Sequence, residues 1–200
     1  MKTHLKRLTL LFLVIIFSVT FLSCESVSIK KEIGVTPNTK HLKKDTYIVF
    51  QFDIIDQVYK EKKWETYKGP REQQMTELFE TYLIKYGKTI VDRTRINQLL
   101  KEMNFSQTGF SIEDGKRVGK LANADVIIFG TISRLSWWTD THTILVITSI
   151  KAIHVETGVL LWKGDLDGSI NYKGSPTQGE GEVQELSRRL FEELLKNAII

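Results

Sequence analysis

The chain has 200 residues, 28 basic and 24 acidic, a formal net charge of +4 and a single cysteine. One cysteine excludes an intramolecular disulfide. The length fits one domain with a real core, and no internal repeat divides it.

The first 23 residues have the layout of a secretory signal peptide. Lys2, Lys6 and Arg7 form a basic start, Leu8 to Leu22 is uncharged and apolar, and small Ser23 precedes Cys24. The apolar run is shorter than the roughly 20 residues that span a bilayer. A retained N-terminal anchor helix is the alternative. Without Lys2, Lys6 and Arg7 the remaining chain keeps 25 basic residues against 24 acidic ones, a net charge near +1. That balance excludes a nucleic-acid-binding protein, which needs a basic surplus or stripe.

Phe21-Leu22-Ser23-Cys24 resembles a bacterial lipobox. The resemblance implies a diacylglyceryl thioether on the Cys24 sulfur and cleavage before Cys24. Phe21 and Leu22 depart from the usual Leu and small residue, whereas the thiol and its small neighbour are present. At roughly 0.8 kcal/mol for each buried CH₂, such a lipid anchors stably without a transmembrane helix.

Glu25 to Asp45 is polar and carries Gly34 and Pro37, which predicts a flexible tether over 24–45, with an edge strand as the alternative. Its cluster Lys40, Lys43 and Lys44 suits either anionic lipid or plain solvent. Thr46 to Asp53 is β-branched and aromatic and predicts a buried strand. After a polar loop, Met75, Leu78, Phe79, Tyr82, Leu83 and Tyr86 make one helical stripe, ended by Gly87. A short strand over Lys88–Val91 follows. Asp92 caps a helix with Ile96, Leu99, Leu100 and Met103 inward. Ser111 with Asp114 forms a capping box for a helix expected to bring Val118 and Leu121 to the core.

Ala124 to Ile132 predicts a central strand covered on both faces. Ser136 to His142 reads as a connection to a strand over Thr143–Val155. Glu156-Thr157-Gly158 then turns the chain into a strand from Val159 toward Tyr172. Lys173 to Gly181 is loop-like, and Glu182 to Ala198 closes as a helix with Val183, Leu186, Leu190, Leu194 and Leu195 inward. The fold class is α/β: a single domain with a mixed β-sheet and helices packed on it, in the order β-α-β-α-α-β-β-β-α.

Three segments in this order resemble the CsgG/HfaB family of bacterial lipoproteins, known for curli secretion. They are Gly87–Leu100, the run Lys120–Asp125 with Ile127–Ile132, and Val155–Trp162; Asp92 and Asn123 depart from its pattern. With the lipobox, the resemblance covers nearly all of the chain after residue 23. It implies three parts: a signal peptide over 1–23, the lipidated cysteine and tether over 24–45, and a CsgG-like domain over 46–200. It also implies a cell-envelope protein, held at the outer membrane and facing the periplasm or the cell surface. The curli secretion protein oligomerises and spans the membrane with two β-hairpins per subunit. A spanning hairpin needs at least about 20 residues, more than either connection around the meander offers.

Catalytic signals are weak. His41, His142 and His154 lack ligand spacing with acids or cysteine, so neither a metal site nor a catalytic residue is expected. His154 reads as a packed or half-exposed strand residue. Gly115 to Leu121 imitates a phosphate loop, but Asp114 and Leu121 stand where Gly and Ser or Thr are required. Asp165 and Asp167 read as solvated. Binding has better signals. Trp137 and Trp138 are adjacent in the expected connection, and neighbours on an extended chain face opposite ways, so burying both is hard. Exposed Trp is a common interface anchor. Trp64 and Tyr67, in the polar loop, form a weaker second patch.

The expectation is a non-enzymatic accessory module. Its partners would be the membrane, through lipid on Cys24, and envelope proteins or further copies of itself. Nucleic acid and a small-molecule substrate are not expected, and neither is a cofactor other than that lipid. The alternative is a subunit of a curli-type export complex.

Overall fold

In the computed structural model, the described residues include eight strands of one mixed sheet and four helices that cover parts of its two faces. Residues 26–55, 57–59, 72–105, 111–138, 141–171 and 179–199 are described. In chain order the strands are β1 (Val27–Val35), β2 (Thr46–Val49), β3 (Asp53–Ile54), β4 (Gln57–Tyr59), β5 (Thr89–Ile90), β6 (Val126–Trp138), β7 (Thr143–His154) and β8 (Leu160–Asn171). The helices are α1 (Glu72–Lys85), α2 (Arg93–Glu102), α3 (Ile112–Leu121) and α4 (Gly179–Ala198).

The sheet order is β1-β8-β7-β6-β2-β5, with β3 and β4 also paired to β6. β2, β3 and β4 are one interrupted run lying parallel to β6, from Tyr47 beside Val126 to Tyr59 beside Trp137. β6, β7 and β8 form the antiparallel meander that the sequence predicts. The expected helices, the short strand at Thr89–Ile90 and the closing helix are all present.

Alternation divides the core. Ile128, Ile132, Ile144, Ile150, Leu166 and Ile170 meet α1 and α4 on one face. There Phe52, Phe79 and Phe191 form a triangle with ring centroids 5.1 to 6.0 Å apart, a spacing favourable for aromatic pairs. On the other face, Ile48, Phe50, Ile127 and Ile153 meet α2 and α3. Gly115 and Gly119 let α3 lie close, because a Cβ on either would come within 2.7 Å of Phe129 or Val155. The imitation phosphate loop is therefore a helix-packing surface.

The predicted caps form. The Thr94 N–H donates to Asp92 Oδ1 at 2.8 Å, and Ser111 and Asp114 close a capping box. Gly87 takes a φ of +75°, a conformation that costs glycine little. His154 is 5% exposed, and its Nδ1 accepts from the Thr157 N–H at 3.3 Å, which braces the β7–β8 turn.

Two expectations need correction. The tether drawn over 24–45 is ordered sheet across Val27–Val35, paired antiparallel with β8 along its whole length. The folded unit therefore includes residues before 46. Val27, Ile29 and Ile33 pack on the core from an edge strand whose other face is polar, which is why the segment reads as hydrophilic. Lys31 sits on the core-facing side but reaches Glu193 of α4. The second correction concerns Trp137 and Trp138. They belong to β6 and pair with Ile144 and Thr143, so they end a strand rather than sit in a connection.

Candidate functional site

The register builds the first candidate surface. Val27, Ile170, Ile144, Trp137 and Tyr59 form one row across five strands. The next row outward holds Asn171, Thr143 and Trp138. Ser26 joins it through a bond from the Asn171 side-chain amide to Ser26 Oγ at 2.9 Å, and Thr143 Oγ1 donates to Asn171 Oδ1 at 2.9 Å. Strands lie about 4.8 Å apart, so three steps put Ser26 roughly 14 Å from Trp138.

Of the residues the sequence singles out, Trp137 and Trp138 lie at this end of the sheet. Cys24, Trp64 and Tyr67 lie outside the described residues; in sequence, Cys24 is two residues before Ser26.

Beyond α2 and α3, no described helix covers the rest of that sheet face. Leu145, Ile147, Ser149 and Lys151 are half-buried there, beside Asp165, Asp167 and Ser169 of β8. Lys163 donates to Asp165 at 2.8 Å. Partial burial works against the Asp165 carboxylate, but hydrogen bonds from Lys163 and Ser149 hold it below the usual range. Asp165 and Asp167 are thus half-exposed strand residues.

The opposite end carries a feature the sequence did not reveal. A cavity of about 430 Å³ opens between the turn after β1, the start of β2, the turn before β5 and the end of α4. Tyr47, Trp162 and Ile199 supply apolar surface, and Lys40, Lys44 and Lys88 supply charge. Lys88 Nζ donates to the Lys44 carbonyl at 3.1 Å. Partial burial pushes the Lys44 ammonium pKa down, and the charges of Lys88 and Lys40 push it further. Burial, with Asp45 and Asp125 nearby, raises the Tyr47 hydroxyl above its ordinary range, so it stays protonated. Of the lysine cluster noted in the sequence, Lys43 is spent on Asp125 at 3.4 Å, while Lys40 and Lys44 line the cavity. Eight residue steps along β1, at about 3.4 Å each, separate this end from Val27, the neighbour of Ser26, by roughly 27 Å. Only the run Lys40–Lys44 signalled the cavity; Lys88, Trp162 and Ile199 reach it through tertiary folding.

Among the described residues, no group of three or more His, Cys, Asp or Glu is placed to hold a metal ion, and no helix is long and apolar enough to cross a membrane.

No protein-family model and no curated protein matches the sequence. Solved structures do match the fold. The PelC dodecamer from Paraburkholderia phytofirmans superposes with a TM-score of 0.51 at 10% identity, covering 84% of this chain and 96% of that one. The hypothetical protein CT253 from Chlamydia trachomatis gives 0.51 at 13% identity, covering 78% and 95%. The LpoB C-terminal domain from Salmonella enterica gives 0.46 at 11% identity, covering 66% and 85%. This chain is similar to them in fold.

Proposed function

We propose that this chain is a lipid-anchored protein of the bacterial cell envelope, built on a CsgG-like soluble domain. It serves as a non-enzymatic assembly or accessory module that binds envelope proteins. Cys24 carries the lipid. The observation that supports this most is the place of Ser26. The first described residue sits in the row of Trp138, Thr143 and Asn171. A lipid on Cys24 would hold this end of the sheet against the bilayer with one intervening residue of slack. Trp137 and Trp138, with Trp64 and Tyr67, would meet a protein partner at the membrane surface, where an amphipathic indole is well suited. The outer membrane, facing the periplasm, is the location this reading favours.

A curli-type export subunit is the second reading. One neighbour in fold, PelC, is a dodecamer, which favours self-association. Chain length opposes a pore. Four residues separate β6 from β7 and seven separate β8 from α4, whereas a membrane strand takes about 9–11.

Crosslinking in intact envelopes, followed by recovery of the lipidated protein, tests the choice. The accessory reading expects a heterologous envelope protein whose recovery falls in Trp137→Ala/Trp138→Ala. Unchanged recovery would remove this surface from the account. A closed ring of this chain alone in native mass spectrometry would favour export.

A further inference from the structure

The cavity at the end of the sheet away from Ser26 has the chemistry of a ligand site. Its volume, about 430 Å³, falls within the range of small-molecule pockets. Tyr47 and Trp162 are buried to 1% and 3% exposure, so the floor is rigid and apolar. Its charge is of one sign. Lys40, Lys44 and Lys88 line it, and among the described residues no acidic one does. Two acids lie near Tyr47: exposed Asp45, and Asp125, which accepts from the Asp45 and Thr46 N–H groups at 3.1 and 2.9 Å and pairs with Lys43.

We infer that this cavity binds a small amphiphilic anion, one carboxylate- or phosphate-type group on an apolar body. The anionic group meets the ammonium groups of Lys44 and Lys88, with Lys40 at the rim, and the apolar body lies against Tyr47 and Trp162. An anion between these lysines relieves their mutual repulsion, which adds to burial in lowering the Lys44 pKa. The source is a free ligand rather than the protein's own membrane, because roughly 27 Å of β1 separates the cavity from the Cys24 end. The inference goes beyond the accessory role; only the choice of a free ligand over the membrane rests on Cys24 carrying the lipid.

The test uses the full chain carrying Cys24→Ser, so that no acyl chain competes for the probe. The anionic probe 8-anilinonaphthalene-1-sulfonate and the uncharged N-phenyl-1-naphthylamine are titrated in parallel by fluorescence. The expected result is saturable one-to-one binding of the sulfonate. It should weaken about tenfold or more in Lys44→Gln/Lys88→Gln, as loss of a charge-assisted contact implies. Lys44→Arg/Lys88→Arg should restore it, and a thermal melt checks that each variant is folded. The uncharged probe should bind more weakly and ignore these substitutions. Absence of saturable binding would overturn the inference, as would equal binding of both probes or indifference to the lysines. Sulfonate binding that appears only when Ile200 is deleted would also overturn it, by giving the cavity to the chain's own end.

Discussion

Asn171 holds Ser26 at two points, through its backbone N–H to the Ser26 carbonyl at 3.3 Å and its side-chain amide to Ser26 Oγ at 2.9 Å. The same side chain accepts from Thr143 Oγ1, so it ties β1, β8 and β7 together at the Ser26 end. Asn171→Ala should free the first residues of β1 and leave the far end paired. The expected global cost is small, about 0.5–1.5 kcal/mol for a net hydrogen bond. Hydrogen exchange should quicken at Val27–Ile29 and stay unchanged at Ile33–Val35; uniform quickening would contradict a local role.

The lipid proposed on Cys24 would also fix an orientation. With lipidated protein in vesicles containing brominated phospholipid, Trp137 and Trp138 should be quenched strongly, while Trp162, at the far end, should not. Trp137→Phe/Trp138→Phe should remove much of the quenching, and Trp162→Phe almost none. Equal effects would mean that the sheet does not stand with its Ser26 end toward the membrane.

Gly130 faces the Phe52 ring, and a Cβ there would come within 2.3 to 2.6 Å of three ring atoms. Phe52 is fully buried against Phe79 and Phe191 and has nowhere to retreat. Gly130→Ala should lower stability by about 1–3 kcal/mol, the usual cost of overpacking. Gly34→Ala, with nothing within 4 Å of the added carbon, is the control and should change stability little. Urea unfolding of both variants measures the difference.

Glu185 supplies a pH dependence. Hydrogen bonds from Arg188, and then from Arg189, overcome partial burial and hold its carboxyl down to about 2 from an ordinary 4.5. A lowered carboxylate stabilises the fold above its unfolded pKa, and this contribution fades as pH falls from about 4.5 toward 2. The pair is partly exposed, so solvent screening limits the gain to roughly 0.5–1 kcal/mol. Glu185→Gln should be less stable than wild type at pH 7 by that amount and equal to it near pH 2. A constant difference across this range in denaturant melts would refute the assignment.

Much of the fold is legible in the sequence because its elements carry strong local signals. The α1 stripe, the caps at Asp92 and Ser111, Gly87 and the apolar run before Gly130 each state their structure within a few residues. β1 does not. Only one of its faces is buried, and Lys31 interrupts even that face to meet Glu193 on a helix 162 residues away. Trp137 and Trp138 can be picked out as residue types, but their position depends on how far β6 continues, which pairing with β4 and β7 decides. The cavity is hidden for the same reason. Lys44 and Lys88 are distant in sequence and become neighbours only when β2 and β5 pair.

The account rests on Cys24 as the anchor. Metabolic labelling with radioactive palmitate, followed by membrane fractionation of wild type and Cys24→Ser, tests it most directly. The prediction is label on the wild-type chain alone, with Cys24→Ser unlabelled and released to the soluble fraction. A wild-type chain without label, or a Cys24→Ser chain still held in membranes, would contradict it.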